Sequence, residues 1–127
     1  MNFREFKTTS GKKILAGKSA EQNEELVKQF LGKENILFHT EKPGSPFCVI
    51  LDLRFNKKDI QETAVFCASK SQDWRDNKQD VNVHYFYAYD MYKWKRMPIG
   101  TFGVKKFELI KIKKRQIENL NKTIKSQ

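Results

Sequence analysis

The stretch that most constrains the fold is VNVHYFYAY, residues 81–89, in which Val or Tyr occupies every second position. Because successive side chains of a β-strand point to opposite faces, this period of two predicts a strand, and a long one. Its two faces consist of Val81, Val83, Tyr85, Tyr87 and Tyr89 on one side and Asn82, His84, Phe86 and Ala88 on the other.

Five shorter segments also have strand composition, and two segments have helical spacing. Ser19 is a suitable N-cap, Gln22 follows three residues later as in a capping box, and an apolar stripe stops at Gly32, which predicts a helix over 19–32. Small and apolar residues recur at helical spacing from Lys57 to about Trp74, before a polar loop. The predicted strands are 3–8, 13–17, 35–40, 46–53, 81–89 and 104–114.

These elements do not alternate as regular βαβ units. We therefore predict an α+β fold, a mostly antiparallel sheet of about six strands with two packed helices and a short basic C-terminal helix. Ile117, Leu120 and Ile124 line one side of that last helix. The predicted division is a domain over residues 1–113 and a basic C-terminal helix or tail over 114–127.

Composition excludes several function classes. The longest apolar runs, such as FCVIL, are far shorter than the roughly 20 residues of a membrane span, and the N-terminal segment has no apolar signal region, so we expect no membrane partner and a cytoplasmic location. Cys48, Cys67, His39 and His84 are the only cysteines and histidines, and they lack metal-ligand spacing. We expect buried thiols, no metal and no cofactor.

The charge is uneven along the chain. The formal net charge is +10, and residues 93–127 contain 11 Lys and Arg against Glu108 and Glu118. A localised basic surface favours a phosphate-rich partner, because binding releases condensed counterions. The alternative is a lysine-rich surface that serves solubility.

Three stretches carry a family signature: AGKSAEQNEEL at 16–26, ENILFHTEKPGSPFCVI at 34–50, and VNVHY at 81–85 with GTFG at 100–103. They resemble the NFACT-R family, the RNA-binding module of ribosome quality-control proteins that also occurs in a stand-alone form. AGKSAEQNEEL (16–26) is similar to the family's Gly-Arg/Lys followed by Asn-Glu/Asp-x-Leu, and ENILFHTEKPGSPFCVI (34–50) to its hydrophobic-hydrophobic-His stretch followed by Gly-Ser-His. VNVHY (81–85) with GTFG (100–103) is similar to its last two strands and their crossover. Pro46 departs from the pattern, because the family usually has histidine there. The length and lysine-rich end are most similar to the stand-alone form.

The resemblance implies binding of RNA, either tRNA or rRNA, near the ribosome. It implies that Lys18, Gln22 and Asn23, at the start of the first helix, face the same surface as the turn with His39, Lys42 and Ser45. Other interpretations stay open at this point. Asn23 either contacts RNA or braces a neighbouring loop, and His39 either contributes to a site or fixes the turn by bonding to backbone near Gly44 and Ser45.

The basic loop and final strand, 89–106, carry the main functional prediction. Bases alternate with Tyr92 and Trp94, so this segment is suited to contact phosphates while a ring stacks on an unpaired base. Trp94 either stacks on RNA or packs into the core, and the same choice holds for Trp74. The predicted contacts here are Lys93, Trp94, Lys95, Arg96, Lys105 and Lys106.

The leading hypothesis is a non-enzymatic module that binds structured RNA, tRNA or rRNA, by shape and phosphate charge. One alternative is an adaptor that docks on a protein partner through the C-terminal helix, and another is a DNA-binding protein. A hydrolase centred on His39, with Ser45, Cys48, Glu41 or Asp52 nearby in sequence, is the least favoured.

Overall fold

The computed structural model describes residues 2–126, and side chains as far as residue 123. It is an α+β fold, as predicted. The strands are β1 (Arg4–Lys7), β2 (Lys13–Ala16), β3 (Ile36–Thr40), β4 (Cys48–Ile50), β5 (Val81–Tyr87), β6 (Met91–Tyr92), β7 (Gly103–Val104) and β8 (Glu108–Ile112). The helices are α1 (Ala20–Lys28), α2 (Lys57–Ser69), α3 (Gln72–Asn77) and α4 (Lys114–Ser126).

Six strands form one antiparallel sheet in the order β1-β2-β4-β3-β5-β8, and β6 pairs with β7 in a separate hairpin. The alternation predicted for residues 81–89 is confirmed over Val81–Tyr87, but the strand ends there, because Ala88–Asp90 form a 3₁₀ turn. Val81 and Val83 pack into the core on one face of the sheet, and Phe86 and Ala88 into the core on the other. His84 shares the face of Phe86 and lies directly opposite His39 in the β3–β5 register.

Both faces of the sheet are covered. On one face the apolar sides of α2, α3 and α4 close the larger core, around Phe38, Cys67 and Trp74. On the other face α1 and the β6–β7 hairpin close a second core, around Leu26 and Leu37. The sheet is therefore the middle of three layers, with α1 on one side of it and α2, α3 and α4 on the other.

The segment predicted as one helix over 57–74 followed by a loop is two helices. Ser71 has an extended backbone, and its Oγ accepts a hydrogen bond from Trp74 N at 3.1 Å and donates one to Ala68 O at 2.7 Å. Ser71 therefore ends α2 and caps α3. The helix α3, Gln72–Asn77, lies inside the segment that was predicted to be a polar loop. The signal that was missed is a serine N-cap with Asp73 in the following turn.

The C-terminal helix packs on the domain. Ile117 is fully buried in the larger core, and Leu120 packs against the same core. The third residue of the predicted apolar stripe, Ile124, has its side chain outside the described residues. The division between residues 113 and 114 stays a prediction, but α4 shares the core of the sheet.

Both thiols are buried, as predicted, and burial raises the pKa of the Cys48 thiol well above its ordinary value. Over residues 2–126, no helix is both long and apolar enough to cross a bilayer.

Candidate nucleic-acid interface

A cleft of about 710 Å³ opens where the end of β3 meets the start of α1. Its walls come from parts of the chain that are distant in sequence. They include Arg4 of β1, the β2–α1 junction, the turn after β3, Lys70 and Arg75 beside and within α3, His84 and Phe86 of β5, and the segment from Ile99 to Phe107. The predicted site residues Lys18, Asn23, His39 and Ser45 are thereby brought together.

Four cations line this cleft, Arg4, Lys18, Lys70 and Arg75, against the single carboxylate of Glu41. Among the described side chains, none of the four has a carboxylate oxygen within 4.0 Å. Two of them bond to carbonyl groups, since Arg4 Nη1 donates to Gly17 O at 3.1 Å and Arg75 Nη1 to Lys70 O at 3.0 Å. Among the described side chains their positive charge is therefore not neutralised by a carboxylate, an arrangement that favours an anionic ligand.

Aromatic rings form the apolar part of the cleft. Phe47 lies between His39, at a ring-centroid distance of 4.4 Å, and Phe102, at 5.6 Å with the rings nearly perpendicular. His84 stacks on Phe107 with centroids 4.0 Å apart and an angle of 20° between the planes. Rings and cations around one concave surface are the combination that stacks bases and holds phosphates in RNA-binding proteins.

His39 and Ser45 use their polar atoms within the turn. His39 Nδ1 donates to Thr40 O at 2.8 Å, and not to the backbone around Gly44 and Ser45. The turn is fixed by Ser45, whose Oγ accepts from Thr40 N at 3.0 Å and donates to Pro46 O at 3.1 Å. Burial lowers the pKa of His39, and the charge of nearby His84 acts in the same direction against the raising effect of the Thr40 bond. His39 therefore favours its neutral form in the cleft wall.

Asn23 braces a neighbouring loop, one of the two alternatives left open by the sequence. Its Oδ1 accepts from Phe47 N at 3.0 Å, and its Nδ2 donates to Ser45 O at 3.5 Å. Gln22 Oε1 accepts from the backbone of Lys18 at 3.0 Å, so Gln22 fixes the approach to α1 and does not line the cleft. Of Lys18, Gln22 and Asn23, only Lys18 has a charged side chain, and its ammonium group has no carboxylate partner among the described side chains.

Lys93 lies inside the fold. Its Nζ donates to Glu24 Oε1 at 2.9 Å, to Pro98 O at 2.6 Å and to Thr101 O at 2.8 Å, which uses all three of its donors. It also lies 4.8 Å from the centroid of Phe102. The structure thus gives Lys93 the role of holding the loop against α1.

Glu24 is the acceptor that joins this loop to α1. Oε1 also accepts from Gly100 N at 2.7 Å, and Oε2 lies 3.2 Å from Lys28 Nζ. Burial acts to raise the pKa of Glu24, but the bonds from Gly100, Lys93 and Lys28 outweigh it and lower the pKa to about 2. Because Ile99 to Phe102 form a wall of the cleft, this carboxylate keeps one side of the cleft in place.

The remaining predicted contacts lie beside the cleft. Trp74 is buried in the core, whereas Trp94 is 67% exposed and does not pack there, so its stacking on RNA stays a prediction. Lys95, Arg96, Lys105 and Lys106 are exposed, and the last two stand between Val104 and Phe107, both of which line the cleft. Lys42 is exposed on the turn, 3.7 Å from Asp73.

Several residues of the interface were not predicted as contacts from the sequence. The cations among them are Arg4, Lys70 and Arg75, and the rings are Phe47, His84, Phe102 and Phe107. Arg4 is on an edge strand, Lys70 and Arg75 flank the missed start of α3, and Phe107 follows two lysines in what was assigned to a strand. Only the Lys105-Lys106-Phe107 run, a ring next to bases, carried a signal in the sequence.

Nothing in the described residues 2–123 gathers three His, Cys, Asp or Glu side chains as a metal site would. Cys48 and Cys67 belong to the core, and Ser45 Oγ donates to a carbonyl rather than to His39. The geometry is that of a binding surface.

Comparison with known proteins agrees with this geometry. Residues 2–106, which include nearly every residue of the cleft, match the family described as NFACT protein RNA binding domain. The chain belongs to this family. Within it, the chain is 34% identical over 77 residues to a protein named Archaeal Rqc2 homolog aRqcH from Methanocaldococcus jannaschii, a match that covers 58% of this chain and 12% of that protein.

A solved structure has the same fold. It is described as the C-terminal of the fibronectin/fibrinogen-binding protein from Streptococcus suis, with a TM-score of 0.80 at 20% identity, and the match covers 94% of this chain and 49% of that one. At this identity the likeness concerns the fold alone. By these coverages the chain spans a small part of the curated relative and about half of the solved chain. That it is the stand-alone form of the family stays a prediction.

Proposed function

We propose that this domain binds structured RNA, tRNA or rRNA, through the cleft and the basic residues beside it. The observation that carries the proposal is a cleft with aromatic walls and four cations, none of which pairs with a carboxylate among the described side chains. Such a surface holds phosphates at defined positions, and the shape of the cleft decides which backbones reach them. Binding is the whole activity in this proposal, with no chemical step.

The family description and the name of the archaeal relative support a translational setting. We propose that the domain works in the cytoplasm, on RNA of the ribosome or of its quality control. Lys95, Arg96, Lys105 and Lys106 extend the positive surface beyond the cleft, and Trp94 adds an exposed ring. In the adaptor hypothesis the apolar side of α4 meets a partner, but Ile117 and Leu120 pack against the domain's own core. RNA is therefore the favoured partner.

The test is the salt dependence of tRNA binding. We expect the association constant to fall steeply with salt, because each neutralised phosphate releases counterions. Lys70→Gln should lower the slope of log K against log salt by roughly 0.7 to 0.9, the contribution of about one phosphate contact. The measurement is a fluorescence-anisotropy titration at several salt concentrations, with a DNA duplex of equal length alongside.

Lys33→Gln is a matched control. Lys33 and Lys70 each place the ammonium group close to a phenylalanine ring, 5.8 Å from Phe30 and 5.9 Å from Phe66, and neither pairs with a carboxylate among the described side chains. Lys33 does not line the cleft. Its replacement should leave the slope unchanged. Affinity that does not respond to salt, or equal effects of the two substitutions, would contradict the proposal.

A further inference from the structure

We infer that the cleft holds one unpaired nucleotide of the bound RNA, with its base stacked on Phe107 and the adjoining phosphates on the surrounding lysines and arginines. This inference rests on the proposed function and names the feature of the RNA that the cleft selects. It assigns a stacking role to Phe107, a residue outside the basic loop from which stacking was predicted.

Phe107 has the geometry of a stacking platform. One face of its ring is covered by His84 at 4.0 Å, and 49% of the residue is exposed. The covered face fixes the ring, because His84 is itself held in β5, the central partner of β3 and β8. Because half of the residue stays exposed beside the cleft, we expect the ring to accept a second flat partner, and a nucleobase is such a partner.

The cations near this ring suit the rest of a nucleotide. Lys105 and Lys106 directly precede Phe107 in sequence, and Lys18, Lys70 and Arg75 line the same cleft. A base that stacks on the ring carries phosphates on both sides of its ribose, so basic groups next to the platform are favourable. The positive charge around Phe107 is therefore complementary to an RNA strand and not to an uncharged ring ligand.

The other exposed rings lack this setting. Tyr87 and Tyr89 stack on each other at 4.8 Å, and the negative charges of Asp90 and Glu34 act on Tyr89. Trp94 has basic neighbours but does not line the cleft. Among these exposed rings, Phe107 is the one that combines a covered face, a place in the cleft wall and several nearby cations. The carboxylate of the cleft, Glu41, lies 3.8 Å from Nε2 of His84.

The size of the cleft selects an unpaired nucleotide. Its volume of about 710 Å³ falls within the 300 to 1,000 Å³ that is typical of small-ligand sites. In a continuous RNA duplex each base is covered on both faces by its neighbours and cannot enter. A base in a loop or a bulge is free to turn outward, which is how proteins usually contact RNA bases.

The test compares three RNA duplexes of equal length: one fully paired, one with a single bulged adenosine, and one with an abasic residue in the bulge. We expect the bulged duplex to bind more tightly than the paired one by roughly 5- to 150-fold, the contribution of one stacked base. The abasic duplex should bind like the paired one.

Phe107→Ala should remove the gain for the bulged duplex, so that the variant binds the bulged, abasic and paired duplexes equally, and circular dichroism shows whether the variant is folded. Phe107→Trp should keep the gain. Tyr89→Ala is the matched control, a ring of similar exposure away from the cleft, and should also keep it. If Phe107→Ala does not fold, Phe107→Leu retains apolar packing on His84 without an aromatic face and should lose the gain.

The outcomes separate the two proposals. Equal, salt-dependent affinity for the three duplexes, or a bulge gain that survives loss of the Phe107 ring, overturns the inference and leaves the proposed function standing. No salt-dependent binding to any RNA overturns the proposed function itself.

Discussion

At the scale of single residues, Gly17 and Asn23 show how the cleft is built. A Cβ on Gly17 would overlap Oδ1 of Asn23 and lie 2.9 Å from its backbone nitrogen. The absence of a side chain at Gly17 lets Asn23 reach the backbone of Ser45 and Phe47 and hold the turn after β3. The shape of the cleft thus depends on a close approach that only glycine permits.

We therefore predict that Gly17→Ala lowers the free energy of unfolding by about 1 to 3 kcal/mol, because the added methyl group must displace Asn23. Urea unfolding followed by circular dichroism measures the change. Lys18→Ala, at the exposed position next to it, should change the free energy of unfolding by less than about 0.5 kcal/mol. An unchanged value for Gly17→Ala would mean that Asn23 moves freely and does not brace the turn.

At the scale of elements, the loop between β6 and β7 is held against α1 by one carboxylate. Glu24 receives hydrogen bonds from Gly100 and Lys93, which lie near the two ends of the loop. Gly100 has φ +81°, and a Cβ there would lie 2.9 Å from Cα of Ala20. The loop thus meets the helix through backbone, and the ion pair fixes a wall of the cleft.

Replacing Glu24 should therefore have a pH-dependent effect. Its folded-state pKa of about 2 lies below the ordinary value of 4.5, so the charged form stabilises the fold above pH 4.5, and this contribution is lost as pH falls toward 2. Glu24→Gln should lower the free energy of unfolding at pH 7 by about 1 to 2 kcal/mol, after a reduction for partial solvent screening.

Urea unfolding at pH 7 and at several values down to pH 2 measures this effect. The difference between Glu24→Gln and the parent protein should shrink across that interval. Glu25→Gln, at the next and exposed position, should behave like the parent protein throughout. A destabilisation by Glu24→Gln that is equal at pH 7 and pH 2.5 would indicate lost packing and not lost charge.

At the scale of the whole molecule, the segment richest in basic residues does not supply the cations of the cleft, and its helix is part of the core. The cations of the cleft come from residues 4 to 75, although the greatest excess of bases lies in residues 93–127. Of the latter, Lys93 is bonded inside the fold and Lys113 lies 3.9 Å from Asp80. The C-terminal helix, in turn, completes the core rather than standing apart from it.

This arrangement makes α4 a determinant of stability. Ile117→Ala should lower the free energy of unfolding by about 2 to 4 kcal/mol, since it removes a fully buried side chain and leaves a cavity. Glu118→Ala, an exposed neighbour on the same helix, is the control and should have little effect. Thermal unfolding of both variants measures the difference. If Ile117→Ala were as stable as its control, residues 114–127 would be a separable tail.

Much of the fold was predictable because its causes are local. The alternation of the long strand, the Ser19 cap and the turn between β3 and β4 each depend on residues within about ten positions of one another. The cap and the turn match the structure, and the alternation holds as far as Tyr87, where a 3₁₀ turn replaces the predicted last two residues of the strand. The break at Ser71 was missed because a serine cap inside an apolar helical pattern is a weak signal until its hydrogen bonds are visible.

The sequence by itself determined the α+β class, the faces of the longest strand and the basic character of the chain. Only the tertiary structure decided which bases and rings meet, because the cleft joins segments whose separation along the chain exceeds any local pattern. Lys93 and Arg75 show the physical reason. A lysine in a basic loop is bound by a carboxylate from a distant helix, while an arginine in a mixed polar stretch is left free of carboxylates beside a cleft.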